Sequence, residues 1–453
     1  MRSFACSHCG QLLFFENSHC LRCGTALGFV HEELALCSIE PVAWNRYRTV
    51  GADPSERTHR YKRCARASLA ACNWLLNAED EQELCASCRL TPAAPALHSD
   101  VELRAFAQAE SAKRRLLYQL YDLGLPIVAR EHDPARGLSF VLAFRSETQR
   151  VVTGHLRGVI TLDLLECDNV HRERLRHQFG EPYRTLLGHF RHEIGHYYWD
   201  ILIEGRPAQE RFRELFGDER ADYREALKRN YEGGSGRWSS RHVSAYAAAH
   251  PWEDWAETFA HYLHIRDTLQ TAAHFGLRVS PSAQTIAPRG GKLSARATEA
   301  VTELDFEQVV NEWLPLTYAF NAANRSMGKE DLYPFVLAPA VIEKLSFVHD
   351  VVRYVELEEV MKPRQAEPAL ATAEALEELE AKCIIDEAIQ TAREEARAHE
   401  ACDSQERALS SNDDAAQPEY EVEARQDEAE ADAEADDAPR AATERSGEVD
   451  TAA

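Results

Sequence analysis

In the segment GHFRHEIGHYYWD (188–200), His192 and His196 stand four residues apart. On a helix that spacing puts both imidazoles on one face, one turn apart, where they can share a metal ion. Glu193 lies beside them, in reach of a water on that metal rather than of the metal itself. This is the HExxH arrangement of zinc hydrolases. Two neutral histidines leave room for a third protein ligand and a water. Zinc brings the pKa of that water down towards about 7, and Glu193 can take its proton. The same five letters occur on ordinary helices, but here apolar Ile194, Tyr197 and Trp199 flank the histidines.

A third ligand is available downstream, in SAYAAAHPWEDWAETFAHYLHI (244–265). Pro251 suits the first turn of a helix, and Glu253 and Glu257 then fall at i and i+4 on one face. The helix is otherwise rich in Trp252, Trp255, Phe259 and Leu263, and two carboxylates buried among them need partners. A metal and its histidines are such partners; the other reading is a pair of exposed glutamates. Between the two segments, FGDERADYREAL concentrates Asp218, Glu219, Arg220 and Asp222, either to line a site or as a charged helix surface. His242, His261 and His264 read as packing or surface residues.

The cysteines point to structural metal. Cys6-x2-Cys9-x10-Cys20-x2-Cys23 presents two CxxC knuckles, each followed by a turn-forming glycine (Gly10, Gly24), and four thiolates suit tetrahedral zinc. Cys64-x7-Cys72-x12-Cys85-x2-Cys88 is a looser second set, read as another four-cysteine zinc site, with buried free thiols as the alternative. Cys37, Cys167, Cys383 and Cys402 stand alone.

HEIGH followed by a helix of the form E-x-x-A-x-x-F-A resembles the gluzincin class of metallopeptidases. The resemblance implies Glu253 as the third zinc ligand and Glu257 as the acid supporting a ligand histidine from behind. It also implies Asp200 as a supporting acid and Tyr246 as an oxyanion donor. RGVITLDLL (157–165) is the candidate edge strand on which an extended peptide pairs. A closer match runs through RCARASLAACNWLL, LCASCRL, TGHLRGVITLDLLE, EPYRTLLGHFRHEIGHYYWD, FGDERADYREAL, HPWEDWAETFAHYLHI and RSMGKEDLYPFVL. Over about residues 1–363 the chain is similar to a bacterial family of zinc-binding metallopeptidases carrying an N-terminal zinc ribbon.

The elements that must position these groups follow from pattern. VELRAFAQAESAKRRLLYQLYDLG has helical periodicity and ends at Gly124; LSFVLAF (138–144) and RGVITLDLL read as strands. A helix is expected after Pro182 through about Ile203, another from Pro251, and a loop over 279–298. The expected organisation is a zinc ribbon at 1–36, a second Cys-rich zinc-binding segment at 37–98, and a zincin-like domain at 99–363. A charged helix at 364–400 and a disordered acidic tail at 401–453 complete it. The fold class is α+β, mostly helical with a small sheet.

Charge excludes less than it first suggests. The formal net charge is −24, yet residues 365–453 hold 27 acids against 7 bases, so −20 of it belongs to that segment. The nearly neutral body leaves nucleic acid open as a partner of the ribbon, though no excess of basic or aromatic residues there supports it; a protein partner is equally compatible. No run of 18 apolar residues predicts a membrane span, and CxxC pairs behind an N-terminus without a signal-peptide pattern suit a reducing, cytoplasmic setting. The sequence thus predicts a cytoplasmic peptidase acting on peptides or proteins, with one catalytic Zn²⁺ and one or two structural ones. The rival is a non-catalytic zinc-ribbon protein that binds a protein or nucleic-acid partner.

Overall fold

The computed structural model describes residues 2–50, 60–145, 151, 153–179, 185–233, 238–279, 295–296 and 304–355. The charged helix expected at 364–400, the acidic tail at 401–453 and most of the loop at 279–298 lie outside the described residues.

The N-terminal part is built of short strands. β1 (Phe4–Ala5) and β2 (Leu12–Leu13) form a hairpin beside the first CxxC knuckle. β3 (Ala26–Val30), β4 (Ala35–Ala43), β5 (Arg46–Thr49), β6 (Arg60–Arg63) and β7 (Leu75–Asn77) follow in sequence order as an antiparallel sheet. The sheet curls until its ends meet, with Phe29 of β3 donating its N–H to the Asn73 carbonyl just before β7. β4 runs across the boundary expected at residue 36, so the two cysteine-rich segments share one sheet. The inner face of that sheet carries Leu27, Phe29 and Leu36 into the same apolar core as the rest of the molecule. Phe15 and Phe29 meet Tyr118 with ring centroids 5.3 and 5.9 Å apart.

After the one-turn helix α1 (Ala86–Arg89), α2 (Asp100–Asp122) begins at Ser99, whose side chain caps the Glu102 N–H. It ends just before Gly124, which takes a positive φ as a C-terminal glycine should. β8 (Ser139–Ala143), β9 (Gly154–Leu156) and β10 (Val159–Asp163) form a mixed sheet in the order β8-β10-β9. A two-residue turn, Arg157–Gly158, joins β9 to β10 with φ of 47° and 81°, the backbone that tight hairpins demand. β10 is therefore paired on both sides, parallel to β8 and antiparallel to β9. This corrects the expectation that RGVITLDLL is an edge: a strand whose hydrogen bonds are spent on two neighbours cannot accept a third.

The helical layer holds α3 (Asn169–Phe179), α4 (Leu186–Leu202), α5 (Ala208–Phe216), α6 (Tyr223–Gly233) and α7 (Pro251–His274). β11 (Arg278–Val279) and β12 (Ala295–Arg296) form a minimal pair, and α8 (Phe306–Ser326) and α9 (Pro339–Arg353) close the domain. The architecture is a mostly helical α+β domain with a small sheet. No helix among the described residues is long and apolar enough to cross a membrane.

Candidate active site

α4 carries His192, Glu193 and His196, α7 carries Glu253 and Glu257, and the two helices lie close together. A Cβ built on Gly195 would come within 2.9 Å of the Ala256 Cα and 3.1 Å of its carbonyl oxygen. The Trp255 indole N–H donates to the Gly195 carbonyl at 2.8 Å, fixing the register of the two helices. α7 starts at His250, whose Nδ1 accepts the Trp252 N–H at 3.1 Å while Nε2 lies 3.1 Å from the Ala221 carbonyl. A neutral ring that accepts at Nδ1 and donates at Nε2 satisfies both contacts. Burial, the leading cause, lowers the His250 pKa and favours that neutral form.

At this close crossing, His192 Nε2, His196 Nε2 and Glu253 Oε2 converge. The separations are 3.2 Å between the two nitrogens, and 3.0 and 3.6 Å from Glu253 Oε2 to His192 and His196. Zinc bonds to nitrogen and oxygen of about 2.0–2.1 Å place tetrahedral neighbours roughly 3.4 Å apart, so the donor set fits zinc. Behind His192, Glu257 Oε1 lies 2.8 Å from its Nδ1, and Ser244 Oγ donates to Glu257 Oε2 at 2.6 Å. Burial disfavours charge on the His192 ring, but Glu253 and Glu257 outweigh it and carry its pKa up to about 10. Burial likewise pushes the Glu257 carboxyl up, and contact with His192 pulls it down to about 2. Carboxylates on both sides of one imidazole make a pocket that calls for a cation.

The cysteine sets converge as well. Cys6 Sγ lies 3.7 Å from Cys23 Sγ, Cys9 Sγ lies 3.6 Å from Cys20 Sγ, and Cys72 Sγ lies 3.6 Å from Cys85 Sγ. Sulfurs of a disulfide stand about 2.05 Å apart, whereas tetrahedral zinc with bonds of about 2.3 Å sets them roughly 3.8 Å apart. All four thiols of each set fall within 4.8 Å of one another. Cys64, Cys72, Cys85 and Cys88 are buried together; in the first set Cys23 is exposed.

A family model described as "putative zinc-binding metallo-peptidase" matches residues 102–351, and one described as a zinc-ribbon domain matches residues 3–99. The chain belongs to this metallo-peptidase family. Among its relatives, the uncharacterized proteins Mb2598c of Mycobacterium bovis and Rv2568c of Mycobacterium tuberculosis are each 49% identical over 354 residues, covering 78% of this chain and 95% of theirs. No solved structure matches the chain. The zinc-ribbon match spans both cysteine sets, in keeping with the strand β4 that crosses from one cysteine-rich segment into the next.

In this family member the other sequence-derived residues take distinct places. Glu193 is buried, and its Oε2 has no hydrogen-bond partner among the described residues. The Tyr246 ring lies 5.9 Å from that of His192 and packs on the small apolar cluster of Tyr223, Leu227 and Ala249. Asp200 is one step further out: its Oδ2 lies 3.9 Å from His155 Nε2, and the His155 ring stacks parallel to His196 at 6.2 Å. Within FGDERADYREAL, Asp218 pairs with Arg220, Glu219 pairs with Arg213, and Asp222 caps α6. These acids shape the surface and the helix start.

The residue of that segment in contact with the site is Tyr223, whose phenol donates to Glu253 Oε1 at 2.5 Å. A single tyrosine in a charged helix gives no periodic signal, and its partner is 30 residues away. His155 gives no local signal either, since it reaches the site through the pairing of β9 with β10. His261 and His264 are packing residues beside Tyr333, and His242 lies 3.7 Å from Asp254.

Proposed function

We propose that the chain is a zinc-dependent peptidase of gluzincin type. The observation that carries this reading is the convergence of His192, His196 and Glu253 with a buried, unpartnered Glu193 oxygen on the same helix. His192, His196 and Glu253 would hold the ion, with Glu257 orienting His192 from behind. Zinc, when bound, supplies a Lewis acid and brings a water's pKa down towards about 7. Glu193 takes the proton of the attacking water and returns it to the departing amine. Tyr246, beside His192, would donate to the oxyanion of the peptide carbonyl. β9 pairs only with β10 among the described residues, so its outer edge, rather than β10, is where an extended peptide can add as a strand.

The two cysteine sets hold structural zinc in this reading, giving one catalytic and two structural ions. Eight thiols arranged around metal suit a reducing compartment, the cytoplasm. The ribbon exposes Phe14, Leu21 and Trp44, the last at 96%, side chains that suit contact with a protein partner. A non-catalytic binding protein accounts for the cysteine sites but leaves Glu193 without a role.

Glu193 decides between the two, since it is not among the ligands. Glu193→Gln is expected to retain zinc, measured by metal analysis, and to lose about 10²–10⁴-fold in peptide cleavage. Wild-type and variant proteins that act alike on a peptide library would sink the enzymatic reading.

A further inference from the structure

Glu253 has two carboxylate oxygens in different surroundings. Oε2 faces the two histidine nitrogens, and Oε1 accepts the Tyr223 phenol hydrogen at 2.5 Å. Both residues are buried, Glu253 at 1% and Tyr223 at 8% exposure. The phenol is held in place from several directions. Asp222 caps the first turn of α6, in which Tyr223 is the leading residue. The Tyr223 ring meets His250 edge-on, with centroids 5.1 Å apart. His250 in turn caps α7, the helix that carries Glu253, and contacts the Ala221 carbonyl just before α6. One imidazole therefore sets the phenol and the carboxylate relative to each other.

We propose that Tyr223 is a positioning residue that restricts Glu253 to a single ligating oxygen. The inference rests on the reading of His192, His196 and Glu253 as a zinc site. To turn Oε1 towards a metal as well, Glu253 would have to share that oxygen with the Tyr223 hydroxyl or give the hydrogen bond up, and leaving a buried donor unsatisfied costs about 1–3 kcal/mol. The three side chains then offer one atom each. That count leaves the coordination position a hydrolytic site needs for water. Such outer partners commonly hold affinity up by about 10–100-fold.

The test is Tyr223→Phe in the full chain, with zinc kept in the cysteine sites and cobalt(II) placed in the histidine site. Cobalt reports coordination number by the strength of its visible bands, strong when four-coordinate and weak when five- or six-coordinate. The expected result has three parts: strong bands in the wild type, weakened bands in Tyr223→Phe, and a loss of about 10–100-fold in zinc affinity at this site by chelator competition. Leu36→Ala, which truncates a core side chain on β4, away from the helices that carry Tyr223 and Glu253, should leave the cobalt spectrum as in the wild type. An unchanged spectrum and affinity in Tyr223→Phe overturns the inference, as does an equal change in Leu36→Ala. Weak bands in the wild type overturn it without any variant, so a Phe variant that fails to fold does not protect it. If the wild-type histidine site takes up no metal at all, the proposed function fails, and that failure is distinct from these.

Discussion

Gly195 shows how one residue type can be dictated by packing inside the HEIGH segment. The HExxH pattern is indifferent to its fourth letter, yet α4 and α7 can cross this closely only where no Cβ intervenes. Both of the nearest atoms to a built Cβ belong to the backbone of Ala256, which cannot swing aside as a long side chain can. Gly195→Ala should therefore push the helices apart, at a cost of about 1–3 kcal/mol typical of overpacking. It should also pull Glu253 away from the two histidines. The expected readout is a lower thermal midpoint together with weaker zinc binding at the histidine site; a variant as stable and as tight as wild type would show that the crossing has slack. At this scale the sequence was informative wherever chemistry imposed a spacing. His192, Glu193 and His196 follow from a four-residue interval on α4, and Glu253 with Glu257 from the same interval on α7. Tyr223 and His155 were hidden because tertiary proximity, and no local period, brings them in.

At the scale of elements, the two cysteine sets use one donor chemistry in different settings. Cys64, Cys72, Cys85 and Cys88 sit at 4% exposure or less, under the sheet and against α2. Arg114 and Lys113 of α2 lie buried alongside them, Arg114 donating to the Ala70 and Ala71 carbonyls near Cys72. A four-thiolate zinc site carries net negative charge, and a neighbouring guanidinium favours it. The first set is open to solvent through Cys23 and partly through Cys9. Zinc should therefore leave in two phases under a chelator or a thiol-modifying reagent, the Cys6–Cys23 site first and the buried site only as the core opens. Mass spectrometry of the modified cysteines distinguishes the sites, and simultaneous loss would contradict the ordering. The helices and the strands at β8 and β10 were legible from periodicity. The connection across residue 36 and the central place of β10 were not, because hydrophobic alternation marks a strand without naming its neighbours.

At the scale of the whole molecule, the −20 carried by residues 365–453 leaves a body whose charge is nearly balanced, so its pH dependence is set by individual buried groups. Burial is the leading cause that lowers His261 to about 4 and His264 to about 3, the latter helped by Arg191. His242 falls to about 4, again chiefly by burial, with Lys344 adding to it. In the unfolded chain these rings take up protons near pH 6.5, whereas in the fold they resist until well below that. The unfolded state thus binds more protons between about pH 6.5 and 4, and stability falls as the pH drops through that window. For the closely packed His261 and His264, the loss at pH 5 is of order 2 kcal/mol each. Asp254 acts in the opposite sense: burial raises it to about 7 against the pull of Lys344, so protonating it on acidification relieves a buried charge. Three histidines against one carboxyl leave a net loss. The thermal midpoint should fall between pH 6.5 and 5, and His261→Gln with His264→Asn should flatten that slope even though zinc release adds to it in both proteins. Equal slopes in the wild type and the double variant would assign the acid sensitivity to the metal sites alone.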